Sequence, residues 1–474
     1  RKRTESLSGD PEVRGAAMKT QAKDMTKGHP GRLLLQFALP LMLGNIFQQT
    51  YTMVDTAVVG QLVGVHALAA LGSVDWFNWM SLGICSGLSQ GFSIMIAQQF
   101  GAKEYEKMKK TVGASLILAV LSAIVVTVVF LLSAAPVLRL MGTREEILGD
   151  ALLYVYIMFS GILIVMIYNW MSSVLRAIGD STTPLIAMGV ASSSNVVLDL
   201  LFVAVFHWGI VGAAAATLIA QGISCIYCFL RMRKVSLLRL CRDDFSVKPE
   251  QAKELFCLGM PMAVQNMIIS IGGMILQSIV NGFGVVFVAG FTATNKLYGL
   301  LEIAAVSMGF AVSTYAGQNL GAGEHERIKN GVRKGAAMAA VISVVISMVM
   351  LLLGRKITGL FVDHSSPDAG EVLNYAYHYL VVLSLFLVIL YCLHIYRSAL
   401  QGMGNTIIPL ISGFVELAMR LLTAVFLPRF VGEYGIYFAE VAAWTGAAVL
   451  LVIAYQKQIH SHLAKNIRIN GGEL

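Results

Sequence analysis

Charged residues are scarce in this sequence. Asp, Glu, Lys and Arg together make up 13% of the 474 residues, whereas hydrophobic residues make up 57%. About a quarter of the residues in soluble domains are charged, so a water-exposed surface over the whole chain is excluded. The composition predicts that lipid surrounds most of the chain, and the lipid bilayer is therefore its first expected partner.

The sequence also lacks the motifs of zinc peptidases and of nucleotide-binding phosphate loops. The sequence contains no His-Glu-x-x-His and no Gly-x-x-x-x-Gly-Lys-Ser/Thr phosphate loop. The net charge of +8 does not indicate nucleic acid, because no basic cluster alternates with stacking aromatics. The six cysteines lie mostly in apolar runs, and Cys225-x-x-Cys228 lacks a second pair to complete a metal site. We expect no enzyme activity, no cofactor and no nucleic-acid partner.

Apolar runs of about 20 residues, long enough to cross a bilayer, recur along the chain between short charged or Gly/Pro-containing gaps. They predict an all-α membrane protein whose twelve transmembrane helices span 33–62, 67–97, 112–134, 151–172, 184–206, 209–230, 255–282, 286–315, 335–353, 374–396, 407–427 and 436–456.

Basic residues alternate between abundant and rare in the successive gaps. If the N-terminus is cytoplasmic, the outer loops hold only five of the 35 Lys and Arg residues, which are Arg139, Arg144, Arg355, Lys356 and Arg429. Cytoplasmic loops are enriched in Lys and Arg, so this bias predicts that both termini face the cytoplasm. We expect a multi-pass monomer in a bacterial inner membrane.

Two halves of the chain repeat each other. Gly101-Ala102-Lys103-Glu104 reappears as Gly321-Ala322-Gly323-Glu324, and the positions of Pro40 and Asn45 reappear as Pro261 and Asn266. Six spans separate the copies, so both begin on the same side and are related by an axis along the membrane normal. The repeat predicts two homologous six-helix lobes around a central cleft. The predicted division of the chain is 1–24 (disordered cytoplasmic tail), 25–230 (N-lobe), 231–254 (cytoplasmic linker), 255–456 (C-lobe) and 457–474 (cytoplasmic tail).

Polar residues at membrane depth are the candidates for function, because each is costly unless it is paired or hydrated. Asp55 lies in the first span, Asn195 and Asp199 share one face of the fifth at i, i+4, and Thr217 lies in the sixth. Their predicted depths are similar. These oxygen ligands suit Na⁺, or a carboxylate pair that holds one proton. The alternative is that Asp55 and Asp199 only bond neighbouring helices.

Several motifs in order resemble the multidrug and toxic compound extrusion (MATE) family, from about residue 25 to the C-terminus. They are Pro40-Leu-Met-Leu-Gly44-Asn45, Val54-Asp55-Thr56, and the Gln-x-x-Gly-Ala loops at 98–102 and 318–322. The resemblance implies export of organic, often cationic compounds, driven by inward Na⁺ or H⁺. It also implies a cation site on an Asp of the first span, an Asn-x-x-x-Asp of the fifth and a Thr of the sixth, which Asp55, Asn195, Asp199 and Thr217 match.

The C-lobe has no copy of this constellation. Leu276, Ala424 and Ala442 stand where Asp55, Asp199 and Thr217 have their repeat counterparts. Its own intramembrane charges suggest internal ion pairs, Lys296 with Glu302 or Glu416, and Arg420 with Glu416, which we favour over substrate contact. Those residues and Asp75 of the second span remain candidates for either role.

Pro40 is a candidate switch in the first span. It removes a backbone hydrogen bond early in the first span and favours a bend that would move Asp55 relative to Asp199. Ordinary packing variation explains such a proline equally well.

The leading interpretation is a Na⁺- or H⁺-coupled antiporter that exports amphipathic small organic substrates by alternating access. The alternative is a flippase for a lipid-linked precursor, which needs a cleft lined with basic residues for a pyrophosphate headgroup. Lys296 and Arg420 are the intramembrane cations that the pattern offers for that purpose.

The charge bias predicts that Ser246, in the longest basic gap, is cytoplasmic. In a background without native cysteines, Ser246→Cys is expected to be shielded from an impermeant maleimide in right-side-out cells. Arg144→Cys, on the predicted outer side, is the labelled control. Efficient labelling at Ser246→Cys would overturn the topology.

Overall fold

The computed structural model describes residues 22–359 and 368–471, which are almost entirely helical. The first half contains α1 (Pro30–Leu62), α2 (Val65–Gly101), α3 (Tyr105–Leu140), α4 (Glu145–Ser160), α5 (Ile162–Ala177), α6 (Thr182–Asp199) and α7 (Gly209–Met232). The second half contains α8 (Pro249–Val280), α9 (Val285–Gly321), α10 (His325–Gly359), α11 (Ala369–Leu385), α12 (Leu387–Gly402), α13 (Ile407–Phe426), the short α14 (Pro428–Val431) and α15 (Phe438–Gly471).

These helices form twelve membrane spans in two lobes of six. Within the two described stretches, nine helices are long and apolar enough to cross a membrane, and two bent pairs, α4 with α5 and α11 with α12, qualify as one span each. The twelfth is α1, whose 33 residues include a polar run around Gln48, Gln49 and Asp55. The predicted fold class is confirmed.

Several boundaries differ from the hydropathy pattern. The predicted spans 151–172 and 374–396 are bent helix pairs, with angles of 47° and 50° between their halves. The first bend lies at Gly161, where a side chain would collide with Leu218. Helices α9 and α10 extend beyond their predicted ends, because hydropathy detects only the part of a helix that lies in hydrocarbon.

Two hydrophobic cores divide the molecule, and α1 contributes to both. Leu34, Phe37 and Leu41 of its first half pack in the C-lobe core with α9 and α10 side chains. Val59, near its other end, packs in the N-lobe core. α1 therefore crosses from one lobe to the other, and it continues as one helix through Pro40.

Glycines bring the lobes into close contact along α2 and α8. A Cβ atom added at Gly91 would lie 2.3 Å from the Cα of Gly259, and one at Gly87 would lie 2.6 Å from the backbone nitrogen of Ala263. Residues 87–91 match Gly-x-Ser-x-Gly, a hydrolase motif that requires a strand-to-helix turn. Here they lie inside α2, and their glycines serve interlobe packing.

The repeated Gln-x-x-Gly-Ala motifs meet each other at the same end of the interface. A Cβ at Gly101 would lie 1.8 Å from the carbonyl oxygen of Gln318, and one at Gly321 would lie 1.8 Å from that of Gln98. Only glycine permits this reciprocal approach. The motif is therefore explained by contact between the lobes.

A second reciprocal contact involves the repeated asparagines. Asn45 of α1 donates a hydrogen bond to Ser307 Oγ of α9 (3.1 Å), and Asn266 of α8 donates to the carbonyl oxygen of Gly83 in α2 (2.8 Å). Each bond joins opposite lobes, so the repeat has duplicated the interlobe surface.

The segment before α1 closes over this end of the interface. The backbone N–H of Lys23 donates to the carbonyl of Ile178 in the N-lobe (3.1 Å), and that of Met25 donates to Gln318 Oε1 in the C-lobe (2.8 Å). Met25 is fully buried. Most of the predicted disordered tail, 1–24, lies outside the described residues, but Lys23 near its end is bonded to the N-lobe and Met25 directly after it is buried.

The connection predicted at 231–254 contains two 3-10 turns, Ser236–Leu238 and Arg242–Phe245, and packs on the start of α3 through Asp244. The predicted tail from residue 457 instead continues α15 to Gly471. Both segments are more structured than their polar composition indicates.

The contact at Gly91 predicts a stability effect. Gly91→Ala forces a Cβ against the Gly259 backbone and is expected to cost about 1–3 kcal/mol as overpacking. Gly72→Ala on the same helix is the matched control, because nothing lies within 4 Å of its added Cβ. Thermal unfolding in detergent measures both, and equal midpoints would contradict the close approach of the lobes.

Candidate functional site

Two aspartates from different helices meet in the N-lobe. Asp55 lies on the N-lobe half of α1, and Asp199 is the last residue of α6. Both are buried, and their carboxyl groups lie within hydrogen-bonding reach of each other. Asp55 Oδ1 and both carboxylate oxygens of Asp199 have no hydrogen-bond donor. Two buried carboxylates in contact repel each other unless a cation or proton lies between them.

The other two predicted residues lie beside each other. Asn195, one turn before Asp199, is 1% exposed and donates from Nδ2 to Thr217 Oγ1 of α7 (3.4 Å). This bond leaves the amide oxygen Oδ1 without a partner. A π-helical turn, Leu200–Val205, follows directly on Asp199. Such bulges in helices frequently mark functional sites.

Three further residues adjoin this cluster and were missed from the sequence. Tyr51 and Tyr154 lie close enough to interact electrostatically with both Asp55 and Asp199. Gln221 lies one turn after Thr217, and its buried oxygen Oε1 also lacks a donor. The sequence could have indicated Tyr51, because it lies at i, i+4 from Asp55 and so shares a face of α1 with it. Nothing in the sequence indicated Gln221, because it is a lone Gln in an apolar helix.

Asp75 of the N-lobe and Lys296 of the C-lobe lie near each other. Both side chains are exposed, and the Lys296 ammonium lies close enough to attract the Asp75 carboxylate. Asp75 in turn interacts with Asp55 by charge. No hydrogen bond or ion pair joins Lys296 to any residue in the described part of the chain.

The C-lobe pairs its charges differently from the prediction. Glu416 bonds Arg397 rather than Lys296 or Arg420, Arg420 Nη2 bonds Glu440 Oε2 at 2.9 Å, and Glu302 contacts His394 at 3.1 Å. Arg397 was assigned to a loop, but α12 continues past it and places it inside the lobe. Glu416 and Arg420 share a helix face, yet each turns to a neighbouring helix.

The C-lobe counterparts of the cation residues are apolar and packed. Leu276 and Ala424 both belong to its hydrophobic core. Neither can supply an oxygen ligand, so these two positions of the cluster have no oxygen-bearing counterpart in the described part of the C-lobe.

The N-lobe cluster has the donor set for a small hard cation or a shared proton. Its unpartnered oxygens come from carboxylates and amides. Among the described residues, no group of three or more His, Cys, Asp and Glu side chains is arranged to hold a metal ion.

Twelve spans in two lobes, a cleft between them and polar groups at membrane depth define a polytopic membrane transporter. The MatE family profile matches residues 40–201 and 261–426, once in each lobe. The chain belongs to the MatE family of transporters and not to a family of enzymes.

Curated relatives and solved structures agree with this assignment. The "Probable multidrug resistance protein YpnP" of Bacillus subtilis is 32% identical over 353 residues, which cover 74% of this chain and 78% of that protein. The "Probable multidrug resistance protein NorM" of Thermotoga maritima is 24% identical, covering 87% and 88%. A structure described as the outward-facing conformation of a multidrug resistance MATE family transporter of the MOP superfamily has a TM-score of 0.87 and 24% identity, covering 94% and 99%.

The buried pair of Arg420 and Glu440 predicts a stability effect. Glu440→Gln removes the hydrogen-bonded counter-charge of a buried guanidinium and is expected to cost about 3–5 kcal/mol in free energy of unfolding. The combination with Arg420→Met is expected to cost less than Glu440→Gln alone. Thermal unfolding in detergent measures both.

The control is Glu371→Gln on α11, whose side chain is exposed. Surface substitutions of this kind change stability by about 0.5 kcal/mol or less. A Glu440→Gln protein as stable as this control would contradict the buried pair.

Proposed function

We propose that this chain is a cation-coupled antiporter that exports amphipathic organic compounds through the cleft between its lobes. The observation that carries the proposal is the set of buried N-lobe oxygens without donors, on Asp55, Asn195 and Asp199. Na⁺ or H⁺ bound there neutralises the repulsion between the carboxylates, so the cation favours whichever lobe arrangement holds them together.

Helix α1 supplies the link between cation and cleft. One end of α1 packs in the C-lobe core and the other end carries Asp55, and Pro40 lies between Phe37 and Leu41 in the part that packs in the C-lobe core. Pro40 lies roughly 22 Å along the helix from Asp55. We propose that Pro40 is the hinge at which α1 bends when the cation binds. A site in one lobe can then change the contact between both.

The orientation follows from the basic residues. The end that the Gln-x-x-Gly-Ala loops close carries the basic segments at 103–110 and 327–334, so we assign it to the cytoplasm of a bacterial inner membrane. Both termini then lie on the cytoplasmic side, and the cleft opens outward. In this state, the cation would enter from outside as the exported compound leaves.

The cargo class rests on relatives and on charge. The curated relatives named above carry multidrug resistance names. A lipid-linked pyrophosphate has several negative charges, whereas Lys296 is one cation, and Arg397 and Arg420 already pair with carboxylates. These observations favour export of small amphipathic compounds over a flippase. We also propose that the protein acts as a monomer and needs no cofactor.

The proposal predicts that Asp55→Asn and Asp199→Asn each abolish gradient-driven transport while leaving a folded protein. Removing one of two repelling carboxylates relieves strain, so stability is expected to stay equal or rise. Efflux of a cationic dye from proteoliposomes, with a Na⁺ gradient or a pH gradient imposed alone, measures the coupling.

Glu302→Gln is the matched control, because it removes a half-exposed C-lobe carboxylate. Its response to the ion gradient is expected to persist. Loss of the response in Glu302→Gln with retention in Asp199→Asn would refute the N-lobe assignment.

A further inference from the structure

Two open grooves run along the outer side of α15, on the surface of the C-lobe. The first lies between α12 and α15 and is lined by apolar residues that include Ile389 and Val449. The second lies between α13 and α15, and its apolar part includes Ile408 and Leu450. Ile453 lines both grooves. Val449 and Ile453 are 55% and 51% exposed on a membrane-spanning helix, so this side of α15 faces the acyl chains of the bilayer.

The apolar part of the grooves is as deep as one leaflet. It begins near Thr445, whose hydroxyl donates back to the carbonyl oxygen of Val441 (2.7 Å), and continues to Ala454. These residues span roughly 14 Å along the helix. The hydrocarbon core of a bilayer is about 30 Å thick, so the grooves cover about half of it. Two grooves that meet at Ile453 match the two acyl chains of one phospholipid.

The second groove ends in polar side chains that donate hydrogen bonds. Lys457 and Ser461 lie one helical turn apart, and Gln458 and His462 form the adjacent face of α15. Asn405, just before α13, donates to Gln458 Oε1 (2.8 Å), which leaves the amide nitrogen of Gln458 as a donor. An ammonium, a hydroxyl and an amide N–H therefore lie together, and all three can donate to phosphate oxygens.

The charge of this surface is positive. Among the described residues, none of the side chains that line the two grooves is acidic. Helices α12, α13 and α15 contain two acids, Glu416 and Glu440, and each pairs with an arginine. Lys457 is exposed and pairs with no residue in the described part of the chain. The surface is therefore complementary to an anionic headgroup that lies above two apolar chains.

The polar end lies at the same end of the molecule as the Gln-x-x-Gly-Ala loops. The ring of His462 stacks on that of His325, with 5.1 Å between the ring centroids. His325 begins α10 directly after the loop at 318–322, and the basic segment 327–334 follows it. This is the end that the excess of basic residues assigns to the cytoplasm.

We propose that this surface binds one anionic phospholipid of the cytoplasmic leaflet, with its phosphate at Lys457 and Ser461 and one acyl chain in each groove. The choice of leaflet rests on the proposed orientation. The binding itself goes beyond the proposed function, because neither the coupling cation nor the exported compound takes part. The bound lipid would contact α12, α13 and α15 at once.

The test compares two lipids that share their acyl chains and differ in the headgroup. Dioleoyl phosphatidylglycerol is anionic, and dioleoyl phosphatidylcholine is zwitterionic. Native mass spectrometry of the full chain in an uncharged detergent, titrated with either lipid, gives the dissociation constant of the first lipid that binds.

The wild-type protein is expected to bind phosphatidylglycerol about fivefold more tightly than phosphatidylcholine, the factor that one lysine near a headgroup contributes. Lys457→Gln is expected to lose this preference, and Lys457→Arg is expected to keep it. Binding of phosphatidylcholine is expected to change less than twofold in both variants. Thermal stability without lipid is expected to be unchanged, because Lys457 has no partner in the protein.

Two further variants separate the headgroup from the chains. Lys329→Gln on α10 is the matched control, because it removes an exposed charge from the same end and lines neither groove. Ile453→Trp puts a larger ring where the grooves meet, at a half-exposed position. It is expected to weaken both lipids by the same factor, because it displaces the chains and leaves Lys457 in place.

Equal affinity of the wild-type protein for the two lipids, or equal effects of Lys457→Gln and Lys329→Gln, would overturn the headgroup site. Unchanged binding in Ile453→Trp would overturn the placement of the chains. Displacement of phosphatidylglycerol by inorganic phosphate at the same concentration would indicate a site for free phosphate and contradict the lipid. No ion gradient is present, so the proposed antiport is tested separately.

Discussion

Unpartnered charge in a low-dielectric interior is the constraint on which this transporter depends. A carboxylate at membrane depth costs several kcal/mol unless it is paired, and here two lie side by side. Asp199 is fully buried with both oxygens unpartnered, in a molecule that pairs Arg397 and Arg420 with acids elsewhere. This contrast supports the proposal that the N-lobe oxygens bind the coupling cation.

The two halves of the repeat share their interlobe contacts but differ in their buried polar residues. Gly101 and Gly321 make reciprocal contacts across the interface, as do Asn45 and Asn266, so the surfaces at which the lobes meet are duplicated. The position equivalent to Asp199 is Ala424, packed in the C-lobe core. A symmetric frame therefore carries an asymmetric site, and α1 connects the two because it packs in both cores.

Much of this arrangement was predictable from the sequence. Span length and repeated motifs gave the two-lobe fold, and the i, i+4 spacing of Asn195 and Asp199 identified their shared face. The C-lobe pairs were not predictable. The ion-pair partners of Glu416 and Arg420 depend on which helices lie beside α13. The hydropathy pattern predicted a tenth span that stops at residue 396, so Arg397 was not recognised as a residue inside the lobe. The burial of Met25 was also not predictable, because its neighbours in the sequence are polar and its burial depends on tertiary contacts.

The central claim is that the Asp55 and Asp199 carboxyl groups hold the coupling cation. The most direct measurement is binding of radioactive sodium, together with proton release, on one sample of purified protein. The account predicts a single saturable site for sodium or for a proton in the wild type, lost in Asp55→Asn and in Asp199→Asn and retained in Glu302→Gln. Undiminished binding and proton release in both aspartate variants would contradict it.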